Sequence, residues 1–397
     1  MKIGINASFL RKQGTGIGQV TANFIKKLAE IQNPKSKILN EDMEFFLYLE
    51  EDADLELPEN TASSAVKFHK VVFLPKYKRD DLIRKIWWEK FLLPTKAKKD
   101  ECDVMLSLYQ NPTIVSNAKH IMVVHDIIPE LFPEYLNNSR KKLYWKLTKK
   151  AIRKADKIIA ISHRTEKDLV QHLVIDPKKI TVVYEDVDAI YKKEISQQAE
   201  DDVLKKYGLE KGYIYHGGGL EKRKNTENLL RAYKMLLENN AKTHALEKIP
   251  KLVISGKLMP ELSPLVTDAE ALVKELDLEE KVVLLDYVPQ EDLPGLYANA
   301  ATFVYPSRYE GFGLPVLEAM NVGVPVITAK TSSLPEVGGD AALYCDPNDP
   351  HDMMLVLRNA LSNERLRKTM VERGKLRAEK FSWDRFVEKI LHIIETR

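Results

Sequence analysis

Short apolar runs of strand length alternate with helical patterns along nearly the whole chain, in two successive series. The first comprises residues 2–6, 45–49, 104–106, 120–124 and 157–161. The second comprises 213–215, 251–255, 282–284, 301–305 and 325–328. Strands separated by helices are joined by crossovers, which makes their sheets parallel and covers both faces. Two series therefore predict two α/β domains, and 397 residues suffice for each to own a core. The polar stretch 192–202 has no apolar period and marks the expected boundary, while 51–64 reads as a surface loop of the first domain. The division expected is 1–195, then 196–378, then a closing segment 379–397. Residues 381–394 repeat apolar side chains at helical spacing, with Ser382 placed as an N-cap.

Composition excludes several classes. The chain is 44% hydrophobic and 30% charged, which describes a soluble globular protein. No run approaches 18 apolar residues, and the amino terminus lacks the apolar core of a secretory signal. Its two cysteines, Cys102 and Cys345, are too far apart in sequence to suggest a disulfide framework or metal-ligand spacing, which favours a reducing cytoplasm. Net charge is +3, unevenly placed: nine basic residues and one acid lie within 140–157. Leu143, Leu147, Ala151 and Ala155 recur there at helical spacing, leaving the charges on the other face. Such a face is either simply solvated or touches an anionic surface such as lipid head groups. No nucleic-acid recognition motif accompanies it.

Chemistry concentrates after the strand 301–305, in Glu310-Gly-Phe-Gly-Leu-Pro-Val-Leu-Glu318. Two carboxylates bracket a glycine-rich turn, and a helix is expected to start near Leu314. The carboxyl end of a strand is where open α/β sheets bind ligands. Gly311 and Gly313 let backbone approach closely, and the helix start offers N–H donors to a phosphate. Glu318 lies about one helical turn further in. A diphosphate needs such donors, and sugar and ribose hydroxyls need carboxylate acceptors.

The second series opens similarly: Tyr213-Ile-Tyr-His-Gly-Gly-Gly-Leu-Glu-Lys-Arg-Lys-Asn225 is a strand, a triple glycine containing Gly218, and a basic cluster. Lys and Arg beside a helix start are unfavourable alone, and a bound anion would neutralise Arg223 and Lys224. In the first series, Gly14-Thr-Gly-Ile-Gly18 precedes a helix over 19–28. It fits a dinucleotide fold equally well. His125 and Asp126 end an apolar strand, where His125 is either a structural group or a catalyst. Asp186-Val-Asp188 has the spacing of a metal motif, yet reads as a polar loop because the Arg223/Lys224 pair makes a metal unnecessary.

The run Tyr305–Met320, followed by Gly323-Val-Pro-Val-Ile-Thr and Ser333-Leu-Pro-Glu-Val-Gly-Gly-Asp-Ala-Ala342, resembles the Glu-x7-Glu signature of the retaining glycosyltransferases of family 4. The resemblance implies a GT-B fold: two Rossmann-like domains facing across a cleft, the last helix crossing back to the first. It implies an enzyme that moves a hexose, mannose or glucose, from a GDP- or UDP-linked sugar to a glycan or lipid-linked acceptor hydroxyl, with no cofactor and no metal. It makes Glu310, Arg223, Lys224 and His125 catalytic. Donor contacts fall to Gly16, Gly218, Val288, Gly311, Phe312, Gly313, Leu314 and Glu318 as well. Family members commonly carry an Arg where this chain has Gly219; a subset uses Arg-Lys-Asn, which matches residues 223–225. Independently of the resemblance, the basic helix 140–157 reads as a solvated face, with a peripheral contact on an anionic membrane as the alternative. The alternatives are a synthase or phosphorylase with a soluble acceptor, or an inactive glycan-binding module.

Overall fold

The computed structural model describes residues 1–12, 14–30, 43–50, 66–72 and 81–396. The chain divides into two compact units, Met1–Glu185 with Ser382–Arg397, and Asp186–Phe381. The expected loop at 51–64 lies outside the described residues.

Strands β1 (Lys2–Asn6), β2 (Met43–Leu49), β3 (Val66–Val72), β4 (Val104–Ser107), β5 (Lys119–Val124), β6 (Lys157–Ala160) and β7 (Ile180–Val182) form the first unit's sheet, ordered β3-β2-β1-β4-β5-β6-β7. Strands β8 (Tyr213–His216), β9 (Leu252–Ser255), β10 (Val282–Leu285), β11 (Ala300–Tyr305), β12 (Val326–Ala329) and β13 (Ala342–Cys345) form the second, ordered β10-β9-β8-β11-β12-β13. Every neighbouring pair is parallel. Burial on both faces explains runs such as Val104-Met-Leu-Ser and Tyr213-Ile-Tyr-His, in which all four residues are buried. In each unit the order reverses between the first strand and the fourth (β1 and β4; β8 and β11), which opens a crevice at their carboxyl ends. Both units are therefore Rossmann-like, as expected. β3, β7 and β13 fall outside the expected series.

The expected boundary at 192–202 is corrected: the units divide between Glu185 and Asp186, and Gln197–Tyr207 is a helix. Ser196 caps its start and Gly208, at φ +62°, ends it. Only Val203 of this helix is buried, too little to show as an apolar period. The basic helix spans Ser139–Lys154, and its buried face is Trp145, Thr148, Ala151 and Ile152. Leu143, expected on that face, is 50% exposed. The large Trp145 ring sets the rotation, its indole N–H donating to Glu130 Oε2 at 2.7 Å. No described helix is long and apolar enough to cross a membrane.

The closing helix Trp383–Glu395 belongs to the first unit and packs against the helix Gly16–Glu30. Ser382 Oγ accepts from the amides of Asp384 and Arg385. Phe386, Val387, Ile390, Leu391 and Ile394 are buried, and Phe386 meets Phe24 edge-on at 6.2 Å. Lys119 Nζ closes the far end by donating to the carbonyls of Ile393 and Thr396. Deleting the Phe386 ring should destabilise the first unit by about 3–5 kcal/mol. Asp384→Ala, which removes an exposed ion pair with Lys27 and a long hydrogen bond from Ser382, should cost less than about 1 kcal/mol. Urea unfolding of Phe386→Ala and Asp384→Ala measures both.

Candidate active site

The loops after β8 and β11 leave neighbouring strands at the second unit's reversal point. Gly218, at φ +95°, can only be glycine there: a Cβ would lie 3.2 Å from the Tyr305 ring and 3.3 Å from Pro315. Gly219 is at φ +99°, a conformation that an arginine would rarely adopt. A 3₁₀ turn, Lys222–Lys224, then delivers Arg223 and Lys224 inward, and Asn225 holds the turn in place. Asn225 sits at φ +68° and donates to the carbonyls of Pro306 and Pro347.

The loop after β11 meets this turn. Arg308 N donates to Arg223 O at 2.8 Å, and Ser307 Oγ reaches the same carbonyl. Glu310 Oε1 then accepts from Lys224 Nζ at 2.8 Å, Tyr305 OH at 2.8 Å and Ser307 Oγ at 2.7 Å, and pairs with Arg223 Nη1 at 2.7 Å. Oε2 takes no hydrogen bond among the described residues. Burial alone would raise the Glu310 carboxyl, but Arg223 and Lys224 hold it down at about 2. Burial and Arg223 draw Lys224 below its ordinary value of 10.5. The Tyr305 hydroxyl hydrogen-bonds Lys224 Nζ, which stands 5.0 Å from the ring centroid.

Backbone position comes from the loop after β12. Ser332 Oγ accepts from Glu310 N at 3.0 Å and donates to Glu310 O at 2.6 Å. Ser333 Oγ donates to Glu310 O and Phe312 O. Gly313, at φ +119°, caps the helix Leu314–Val322 without a side-chain hydrogen bond; Pro315 has no N–H and Val316 N donates to Gly313 O at 3.0 Å, which leaves the Leu314 N–H to another partner. Glu318, one turn further, is buried and accepts from Tyr297 OH at 2.9 Å, with the Tyr191 hydroxyl beside it. Burial pushes this carboxyl up to about 7. Of the two glutamates of one motif, Glu310 is thus held charged, while burial works against the charge on Glu318.

The structure brings together Gly218, Arg223, Lys224, Glu310, Gly313 and Leu314, with Glu318 nearby. Gly311 is buried in the connecting turn. Phe312 is 3% exposed and packs edge-on against Phe381, so its ring shapes the core. Val288 is buried in the loop following β10. Gly16 opens the first unit's helix three residues earlier than expected, with Thr15 Oγ1 accepting from Gly18 N. Asp186 pairs with Lys192, and Asp188 caps the turn at Ile190. Among the described residues no three His, Cys, Asp or Glu side chains converge to hold a metal ion.

His125 is buried at the end of β5, with both ring nitrogens engaged. Nδ1 lies 2.7 Å from Glu185 Oε1 and Nε2 lies 2.9 Å from Leu108 O. The contact with Glu185 favours the protonated ring. Burial would lower its pKa, but Glu185 outweighs burial and raises it. Glu185, about sixty residues later in the sequence, carried no signal of this role; Glu221 beside Arg223 and the Ser332-Ser333 pair were visible but unassigned. A group with a raised folded pKa stabilises fully below its unfolded value of 6.5, and loses that contribution as pH rises through the folded value. Glu185→Gln should therefore lower the His125 pKa in an NMR titration. Its stability deficit against wild type should be greatest below pH 6.5 and shrink above it.

Residues 197–377 match the family model described as glycosyl transferases group 1, and residues 39–189 match that of glycosyltransferase family 4. O-antigen chain mannosyltransferase B of Escherichia coli is 35% identical over 66% of this chain and 67% of its own length. O-antigen chain mannosyltransferase RfbU of Salmonella typhimurium is 25% identical, over 89% and 90%. The serotype-specific mannosyltransferase WbdA of E. coli is 30% identical over 67% of this chain, but the match spans only 32% of that longer protein. The solved structure of WaaG, a glycosyltransferase of lipopolysaccharide biosynthesis, superposes with a TM-score of 0.71, covering 100% of both chains at 17% identity. The fold class is GT-B, and the protein is a glycosyltransferase. Within that class, the chain belongs to glycosyltransferase family 4.

Proposed function

We propose that the protein transfers a hexose, mannose in the first place, from a nucleotide diphosphate sugar to a hydroxyl of a glycan or lipid-linked acceptor, retaining the anomeric configuration. One observation carries this reading: Glu310 is pinned through Oε1 by three hydrogen bonds and the Arg223 ion pair and keeps Oε2 open, beside two buried cations and a helix start whose Leu314 N–H is open. Oε2 would accept from the sugar hydroxyls. Arg223, Lys224 and the Leu314 amide would take the charge that develops on the departing diphosphate, which supplies locally what a metal otherwise would. Glu318 would hold the ribose, with Val288 and the Gly311–Gly313 backbone along the nucleoside. The relatives named as mannosyltransferases of O-antigen chains support the sugar and the glycan acceptor.

With its charge drawn to Arg223 and Lys224, Glu310 would position the sugar instead of attacking it. Transfer then breaks the bond from the anomeric carbon to the diphosphate and forms the new glycosidic bond on the same face. The acceptor proton passes to the departing phosphate oxygen.

Glu310→Gln should lower turnover by about 10²-fold or more, read as nucleoside diphosphate released only in the presence of acceptor. It also leaves two buried cations less compensated, at a stability cost of about 3–5 kcal/mol. The assay therefore belongs at a temperature where circular dichroism shows the variant folded. Turnover at the wild-type rate would remove Glu310 from the chemistry.

Arg223→Ala should weaken nucleoside diphosphate binding about 10–100-fold, the value of one charge-assisted hydrogen bond, and leave free nucleoside binding unchanged. Calorimetry with GDP, UDP and their nucleosides tests this and ranks the two bases. Equal diphosphate affinity in variant and wild type would exclude Arg223 from the phosphate site.

A further inference from the structure

Glu221 plays no part in the reading above, yet its carboxylate lies 2.5 Å from Arg223 Nη2. The two edges of the Arg223 guanidinium are used very differently. Nη1 is fully occupied, donating to Tyr309 O at 3.0 Å and lying 2.7 Å from Glu310 Oε1. On the other edge, Nε has no hydrogen-bond partner, although the side chain is only 11% exposed. Glu221 Oε2 touches Nη2 without forming an aligned hydrogen bond. A well-seated oxyanion takes Nε and Nη2 together, through two parallel N–H···O bonds. Glu221 does not achieve this, and its backbone explains why. The residue immediately precedes the 3₁₀ turn, and its carbonyl is held by Lys224 N at 2.7 Å. The carboxylate therefore approaches Arg223 from only two residues away and cannot lie square to the fork.

An unfilled fork, nine-tenths buried and covered by a carboxylate that is 42% exposed, is a phosphate position with a weak occupant. We propose that Glu221 competes with the diphosphate for the Nε–Nη2 edge of Arg223: the ligand displaces it toward solvent, and its return helps to expel the nucleoside diphosphate product. The inference rests on the nucleotide-sugar reading of this site. A phosphate oxygen pair gains both N–H bonds that Glu221 leaves unmade, while the displaced carboxylate regains water at little loss, because a partly exposed ion pair is weak. Once displaced, Glu221 still stands near the bound phosphates, and like-charge repulsion favours departure. Glu221 thereby sets how tightly product is held without touching the sugar.

The test is calorimetry on the full chain, wild type, Glu221→Gln and Glu221→Ala, with GDP and UDP and with the free nucleosides. Both variants should bind the diphosphate about 3- to 5-fold tighter than wild type, the fold-change corresponding to one partly exposed ion pair. The gain should diminish at high salt, and nucleoside binding should not change. Stopped-flow displacement should show the difference as slower product release. Unchanged or weaker diphosphate binding in both variants would overturn the proposal; weaker binding would make Glu221 a residue that orients Arg223. Wild-type protein that binds neither diphosphate would defeat the nucleotide-sugar reading itself, and this inference with it.

Discussion

Glu310 is where three separate stretches of the second unit converge, two of them on its Oε1 and the third on its backbone. Arg223 and Lys224 come from the loop after β8, and Tyr305 and Ser307 from the end of β11. The serines that fix the Glu310 backbone come from the loop after β12. Such convergence is possible only because β8, β11 and β12 are consecutive neighbours in the sheet. A sheet in simple chain order would put β9 and β10 between the first two, at about 4.8 Å per strand. Topology is thus a precondition of the electrostatics. Without the two cations, a carboxylate this buried would take up a proton instead of staying charged. Glu318 shows the contrast: hydroxyl partners only, and a carboxyl near 7.

The architecture was legible in the sequence because parallel strands buried on both faces are continuous apolar runs. Most of the first-unit strands and all but one of the second-unit strands stood out for that reason. β3 did not, since Lys67, His69 and Lys70 interrupt it. β13 is short and half-buried at its centre. The dividing point was misplaced because the helix 197–207 buries a single side chain and looks like a linker. Helical rotation was misjudged at 139–154 because Leu143 and Leu147 suggested a stripe that Trp145 overrides.

Within the site, residue types at the turns were readable, and partnerships across the chain were not. The glycines and the Arg-Lys-Asn run betray themselves by their own backbone needs, as Gly218 and Asn225 confirm. The ring partner of His125 is a glutamate from another strand's end, invisible to local pattern. Ser333 was noted only as the start of a familiar motif. Its hydroxyl turns out to brace the first motif's backbone, which gives a physical reason for two stretches over twenty residues apart to recur together.

The charge sum of the site has a kinetic meaning. Arg223 and Lys224 contribute +2, Glu221 and Glu310 contribute −2, and the outlying Lys222 is matched by Glu227. The cluster is formally neutral, so it projects little field beyond its own walls. An approaching polyanion is therefore not drawn in from a distance. Its capture depends on reaching the guanidinium by diffusion and rearranging charges at contact. Such a site forgoes rapid long-range recruitment, and gains indifference to the many small anions of a crowded solution that a bare cationic pair would attract.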